Sequence, residues 1–239
     1  MSRKKDILGH NESNQMEIED LDKNIFVFGK TDYGKSTLLH KLALQRIREG
    51  DKVFFTSRDT GDLKEILERV PDEKLPEVAL LQIDCNKNIS QIDNEIRGNN
   101  TILFDTSRVP LPYMDDTIRK TCQVVDENLE EDCQEHFFFD DFGKYSSSYE
   151  SILPLMDSMR VVLCCQHPNY LKSSTRECLL DKIDLICLMS LTEHDELKLQ
   201  DYDYKDLPSM PHRAYMSGEI FDVAAPSNTN RHISDINEI

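Results

Sequence analysis

Residues 24–37 read Asn24-Ile-Phe-Val-Phe-Gly-Lys-Thr-Asp-Tyr-Gly-Lys-Ser-Thr37, and this stretch decides the fold. Four apolar residues, Ile25 to Phe28, have the length and composition of a buried strand. Gly29, Gly34, Lys35 and Ser36 then complete the pattern G-x-x-x-x-G-K-[ST]. An amphipathic helical pattern follows at once (Leu38, Leu39, Leu42, Leu44, Ile47) and closes at Gly50. Strand, glycine loop and helix in that order are the setting in which such a pattern acts as a phosphate loop. The glycines let successive backbone N–H groups turn inward onto phosphate oxygens. A helix start near Lys35 adds the positive end of its dipole. In such a loop Lys35 reaches the β- and γ-phosphates, and the Ser36 hydroxyl takes one position on Mg²⁺. The expectation is an ATP site built from Gly29, Lys30, Thr31, Asp32, Tyr33, Gly34, Lys35, Ser36 and Thr37, with ATP and Mg²⁺ as cofactors.

Beyond the loop the chain alternates strand-like and helix-like segments, the mark of an α/β domain with a mainly parallel sheet. Strands are expected at Ile25–Phe28, Lys52–Thr56, Glu77–Ile83, Thr101–Phe104, His136–Phe139, Arg160–Cys165 and Leu185–Leu188, with a last one near Ala214–Met216. Helices are expected at Leu38–Glu49, Gly61–Val70, Ser90–Arg97, Met114–Glu130, Ser147–Met159 and Ser174–Ile183. Residues 1–22 are polar with little apolar content and read as a flexible tail. The ATPase domain is expected over 23–224, followed by a second flexible tail over 225–239.

The chain of 239 residues is long enough for one α/β core. The basic residues near its start precede no apolar stretch, so no signal peptide is expected. No apolar run approaches a membrane span. The seven cysteines form no C-x-x-C pair and no zinc spacing, and several lie in apolar runs. Reduced, buried thiols in a cytoplasmic protein are the plain reading. A formal net charge of −17 is unusual for a chain that grips nucleic acid broadly, which calls for a basic face.

Phosphoryl transfer also needs a carboxylate at a strand tip for Mg²⁺ and a polar group that orients water. The strand His136–Phe139 ends in Asp140 and Asp141. Asp140 suits the metal role, and Asp141 the water-activating role. The strand Thr101–Phe104 is also closed by an acid, Asp105, but by one rather than two, and ranks below. The strand Arg160–Cys165 exposes Gln166 at its end, where an amide can both donate to the γ-phosphate and accept from water.

Together these segments resemble the FtsK/HerA superfamily of P-loop ATPases. Four places carry the resemblance. Gly29-Lys-Thr-Asp-Tyr-Gly-Lys-Ser36 is similar to that family's G-x-T-G-S-G-K-S. Lys52-Val-Phe-Phe-Thr-Ser-Arg-Asp-Thr-Gly-Asp-Leu63 is similar to its second strand and the Asp-x-x-Gly-Asp/Glu-Leu turn after it. Phe137-Phe-Phe-Asp-Asp141 resembles its apolar strand with paired acids, and Val161-Val-Leu-Cys-Cys-Gln-His-Pro168 its strand with a Gln sensor. The order holds over most of the chain. Two departures stand out: Asp32 and Tyr33 replace a small Gly-Ser pair, and Asp141 stands where the family usually has Glu.

The resemblance implies a three-layer RecA-like core and a ring of subunits, usually six, with ATP at each subunit boundary and an arginine from the neighbour. By position Arg160 is the expected finger, with Arg176 and Arg119 as alternatives. It further implies a motor that moves double-stranded DNA, most concretely in packaging a viral or mobile-element genome in the cytoplasm or the virion. Channel-facing cations are expected around Arg108, Arg119, Lys120 and Lys172. The acidic balance favours a second reading, an ATPase acting on virion or assembly proteins. A nucleoside kinase is a distant third, since no lid-like arginine cluster is present.

Overall fold

The computed structural model describes residues 6–10, 15–18, 23–87, 89–129, 134–142, 150–166, 173–189, 212–216 and 219–223. The continuous apolar runs become strands buried on both faces, as a parallel sheet between helix layers requires. These are β3 (Ile25–Gly29), β4 (Lys52–Ser57), β5 (Val78–Gln82), β6 (Thr101–Asp105), β7 (Glu135–Phe139), β8 (Arg160–Cys165) and β9 (Leu185–Met189). Side chains alternate between the two faces along each strand. Ile25 and Val27 pack with Leu38, Leu42 and Ile47 of α1 (Lys35–Glu49) and Leu63 and Ile66 of α2 (Thr60–Arg69). Phe26 and Phe28 pack on the other face, in the cluster that holds Ile92 and Ile96 of α3 (Ile89–Ile96) and Ile118 and Val125 of α4 (Met114–Glu127). The result is the three-layer, RecA-like α/β fold expected from the sequence.

Seven strands run parallel in the order β5-β6-β4-β7-β8-β3-β9. The tips of β3, β8 and β7 therefore lie side by side. β6 lies two places beyond β7, which removes Asp105 from the loop's surroundings. Its carboxylate instead accepts from Gln82 Nε2 at 3.2 Å and from the Ser107 N–H at 2.8 Å.

Past β9 the sheet turns antiparallel through β10 (Arg213–Met216), β11 (Glu219–Val223), β1 (Asp6–His10) and β2 (Gln15–Ile18). The stretch expected as a flexible N-terminal tail thus contributes two strands. Leu8 is buried, the N–H of Ile7 donates to Gln45 Oε1 on α1 at 2.7 Å, and Lys41 Nζ donates to the Leu8 carbonyl at 3.3 Å. The helix expected over Ser147–Met159 shrinks, among the described residues, to one turn at Leu155–Ser158. The last helix among the described residues, α5 (Ser173–Leu180), stops three residues short of its expected end. The tail expected over 225–239 lies outside the described residues. No helix among the described residues is long and apolar enough to cross a membrane.

A charged cluster is buried at the sheet edge opposite the strand tips. Arg46 Nη1 meets Asp51 Oδ2 at 3.1 Å, and His136 Nε2 lies 3.4 Å from the same oxygen. Burial, foremost, lowers the His136 pKa; Asp51 opposes this, while Arg160 and Arg46 add to it. A histidine held neutral in the fold takes up a proton on unfolding as pH falls below about 6.5. Stability is therefore lost from that pH downward through the lowered folded pKa. We expect the melting temperature of the native chain, relative to that of His136→Phe, to fall as pH goes from 7.5 to 5.5, measured by differential scanning calorimetry. A constant difference across that range contradicts a neutral, buried His136.

Candidate active site

The loop between β3 and α1 is shaped by sterics. A Cβ on Gly29 would stand 1.9 Å from the Met189 carbonyl oxygen of β9, so only glycine fits. Gly34, the N-cap of α1, has φ 96°, in the left-handed region that glycine adopts without strain. A Cβ there would also lie 2.6 Å from His212 Nδ1. Asp32 is left-handed too, at φ 64°, a conformation that short polar residues tolerate.

The first helical bond of α1 runs from the Leu38 N–H to the Gly34 carbonyl at 3.0 Å. The N–H groups of Lys35, Ser36 and Thr37 therefore precede the helical ladder and are available to an anion. No acid occupies the first turn of α1. Lys35 is buried, and its Nζ donates to the Lys30 carbonyl at 2.7 Å, closing the loop on itself.

The acids expected to complete the site do converge on it. Asp140 continues β7 by one residue, its N–H donating to the Thr56 carbonyl at 3.0 Å. Ser36 Oγ donates to Asp140 Oδ2 at 2.8 Å. The chain then turns left-handed at Asp141 (φ 50°), whose N–H donates to Asp140 Oδ1 at 2.9 Å. Gln166, at the tip of β8, donates from Nε2 to Asp141 Oδ1 at 3.4 Å. These groups line one cavity of about 470 Å³ together with Thr31, Asp32, Gly34, Lys35 and Thr37. Two adjacent oxygen donors, Ser36 Oγ and an Asp140 carboxylate, face the same space. That donor set suits the hard, oxygen-seeking Mg²⁺. Lys30 and Tyr33 belong to the loop without lining this cavity, and Lys30 Nζ lies 5.9 Å from the centre of the Tyr33 ring.

Arg160 does not fit the role expected of it. It begins β8 and Gln166 follows its end, so the two are about 20 Å apart at roughly 3.3 Å per residue. Its side chain is only 2% exposed, and Nε donates to the Lys23 carbonyl at 3.1 Å. A guanidinium folded into its own core at the far edge is not offered to a neighbour's nucleotide. Of the alternatives, Arg119 is exposed on α4 and pairs with Asp116, while the Arg176 side chain lies outside what is described. Arg108 is exposed; Lys120 also pairs with Asp116, at 2.8 Å; Lys172 lies outside the described residues.

Five further residues line the same cavity without having been singled out from the sequence: His40, Asp59, Asp62, Glu65 and His212. Asp59 N-caps α2, its Oδ1 accepting from the Gly61 N–H at 2.8 Å. Asp62 accepts from Ser57 Oγ at 3.0 Å. Burial first, and then Asp140 beside it, push the Asp62 pKa up to about 7, against the influence of His40 and Ser57. His40 is buried, with Nε2 at 3.5 Å from Asp62 Oδ1 and Nδ1 at 3.3 Å from Glu65 Oε2; its contact holds the Glu65 pKa down. The spacing of Ser36 and His40, one helical turn, is the sequence signal that places both on one face of α1. His212 left no such signal. It arrives with the antiparallel strands, its N–H donating to the Tyr33 carbonyl at 3.0 Å.

No family model matches the sequence, and no curated protein matches it. Solved structures do resemble the fold. VirB4 of Thermoanaerobacter pseudethanolicus aligns with a TM-score of 0.65 at 10% identity, over 92% of this chain and 96% of that one. The genome packaging NTPase B204 of Sulfolobus turreted icosahedral virus 2, in complex with AMPPCP, aligns with a TM-score of 0.60 at 10% identity, over 86% of this chain and 100% of B204. The cytoplasmic domain of the Thermomonospora curvata type VII secretion ATPase EccC gives a TM-score of 0.59 at 13% identity, over 95% of this chain. The chain spans only 27% of that EccC domain, and 45% of a chain holding ATPases 2 and 3 of EssC from Geobacillus thermodenitrificans. At such identities the likeness shows the fold alone: the chain shares the RecA-like α/β architecture of these solved structures.

Proposed function

We propose that this chain is an ATP-hydrolysing, Mg²⁺-dependent P-loop motor of the FtsK/HerA type that moves double-stranded DNA. It acts as a homo-oligomeric ring, hexameric by that resemblance, in packaging a viral or mobile-element genome in the cytoplasm or virion. The observation that carries the ATPase reading is the meeting of Ser36, Asp140, Asp141 and Gln166 with the phosphate loop in one cavity. Ser36 and Asp140 hold Mg²⁺, which when bound offsets charge on the phosphates. The α1 N-terminus and Lys35 bind the triphosphate. Gln166 orients the attacking water, and Asp141 takes its proton. An exposed arginine of the neighbouring subunit, Arg119 foremost now that Arg160 is buried, completes the charge balance.

DNA as cargo rests on the resemblance and on B204, a genome packaging NTPase that this chain spans from end to end. DNA held through phosphates is shed steeply with salt. Duplex DNA is therefore expected to stimulate ATP hydrolysis severalfold at about 50 mM salt and to lose that effect by about 200 mM.

A second reading, an ATPase that acts on protein partners in virion or other assembly, draws on the net charge of −17 and on an EccC structure in complex with a signal sequence peptide. Turnover indifferent to DNA at every salt concentration favours this second reading.

A further inference from the structure

Acids and hydroxyl-bearing residues dominate the lining of the cavity. A nucleobase held by a protein commonly rests its flat face on an aromatic ring. Two rings line this cavity, those of His40 and His212. His40 is 1% exposed and sits between the Asp62 and Glu65 carboxylates, at 3.5 and 3.3 Å. His212 is exposed. Among the described lining residues it is therefore the ring with a face left for a ligand.

His212 is fixed from two sides. Its N–H donates to the Tyr33 carbonyl at 3.0 Å, and its carbonyl accepts from the Val223 N–H at 2.7 Å, one step past the Arg213–Asp222 pair of the β10–β11 ladder. The backbone there is left-handed, at φ 58°, a region in which His is enriched. The imidazole lies against the phosphate loop: a Cβ on Gly34 would stand 2.6 Å from Nδ1 and 3.3 Å from Cε1. In the proposed mechanism Asp141 and Gln166, at the tips of β7 and β8, mark the γ-phosphate end. His212 stands on the other side of β3, that of β9 and β10. A triphosphate laid across the start of α1 with its γ-phosphate at Gln166 directs its nucleoside toward His212.

We propose, resting on the ATP-site reading, that His212 is a nucleoside-binding residue whose ring seats the base beside Gly34, while Lys35 and the α1 N-terminus hold the phosphates. Its backbone bonds also tie the β10–β11 hairpin to the loop. That structural role survives a change of side chain, and its loss would weaken phosphates and nucleoside alike.

The test is isothermal titration of the full chain, in excess Mg²⁺, with a non-hydrolysable ATP analogue and separately with inorganic tripolyphosphate, which has no nucleoside. His212→Asn removes the ring and tolerates the left-handed backbone. It is expected to weaken the ATP analogue by roughly 5–150-fold, the range for loss of one base–aromatic stack, and to leave tripolyphosphate affinity within about twofold of native. His212→Tyr, which supplies a ring again, is expected to recover most of the loss. His212→Ala serves in place of His212→Asn if the latter does not fold. Equal losses for the two ligands, or none for the ATP analogue, overturn the nucleoside role. A native chain that binds neither ligand overturns the ATP-site reading itself, a separate result.

Discussion

Asp141→Asn is expected to bind ATP as the native chain does and to hydrolyse it at least about 100-fold more slowly. A positioned general base contributes roughly 10²–10⁴ in rate, and the substitution removes that capacity while sparing the geometry. Asn has the same number of heavy atoms as Asp and tolerates the left-handed backbone that Asp141 adopts at φ 50°. Its carbonyl oxygen can still accept from Gln166 Nε2, and its N–H can still donate to Asp140 Oδ1. Ser36 and Asp140 are untouched, so the groups proposed to hold metal and nucleotide are kept. Single-turnover hydrolysis beside equilibrium binding of an ATP analogue separates the two effects. Turnover within a few-fold of native would remove Asp141 from the proton transfer. The same experiment bears on a departure from the resembled family, since Asp141 is one methylene shorter than the usual Glu. Under the proposed mechanism a shorter acid needs help to reach the water, and Gln166, 3.4 Å from Asp141 Oδ1, is placed to provide it.

The seven parallel strands were legible because each is an apolar run buried on both faces, and such runs are written locally in the sequence. Convergence of Asp140 on Ser36 was legible for a related reason: parallel strands bring all their C-terminal ends to one edge. The same rule argues against Arg160 joining the site of its own subunit, since Gln166 lies at the other end of the same short strand. What the rule leaves open is burial, which decides whether a neighbour can use the arginine. Arg160 is 2% exposed and its Nε donates to the carbonyl of Lys23, 137 residues earlier, a contact that nothing local to the strand announces. Strands β1 and β2 were illegible because they are short and polar, and β1 owes its place to pairing with β11 more than 200 residues later. Asp62 was read as part of a turn motif, and nothing local says that such a turn will line the same cavity as Asp140. His212 reaches the loop only because β10 and β11 carry it there.

Lys35→Ala is expected to abolish measurable nucleotide binding, with affinity reduced by roughly 10²–10⁴ if two charge-assisted hydrogen bonds of about 1.5–3 kcal/mol each are lost. The cavity makes the loss severe. Asp32, Asp59, Asp62, Glu65, Asp140 and Asp141 all line it, and among its lining residues Lys35 is the sole lysine or arginine. A triphosphate entering that space would meet six acidic side chains and would depend on Lys35, the α1 N-terminus and a divalent cation to offset them. Removing the ammonium also frees the Lys30 carbonyl that Nζ now occupies, so the loop could change shape for a reason unrelated to phosphate. Lys35→Gln answers that point, because its amide can still donate to the carbonyl while lacking charge. If the charge is what matters, isothermal titration with an ATP analogue in excess Mg²⁺ gives the same loss for both variants, with melting temperatures near native. Near-native affinity in Lys35→Gln would mean that the lysine serves the loop and not the phosphates, and the phosphate-binding role assigned to Lys35 would have to be given up.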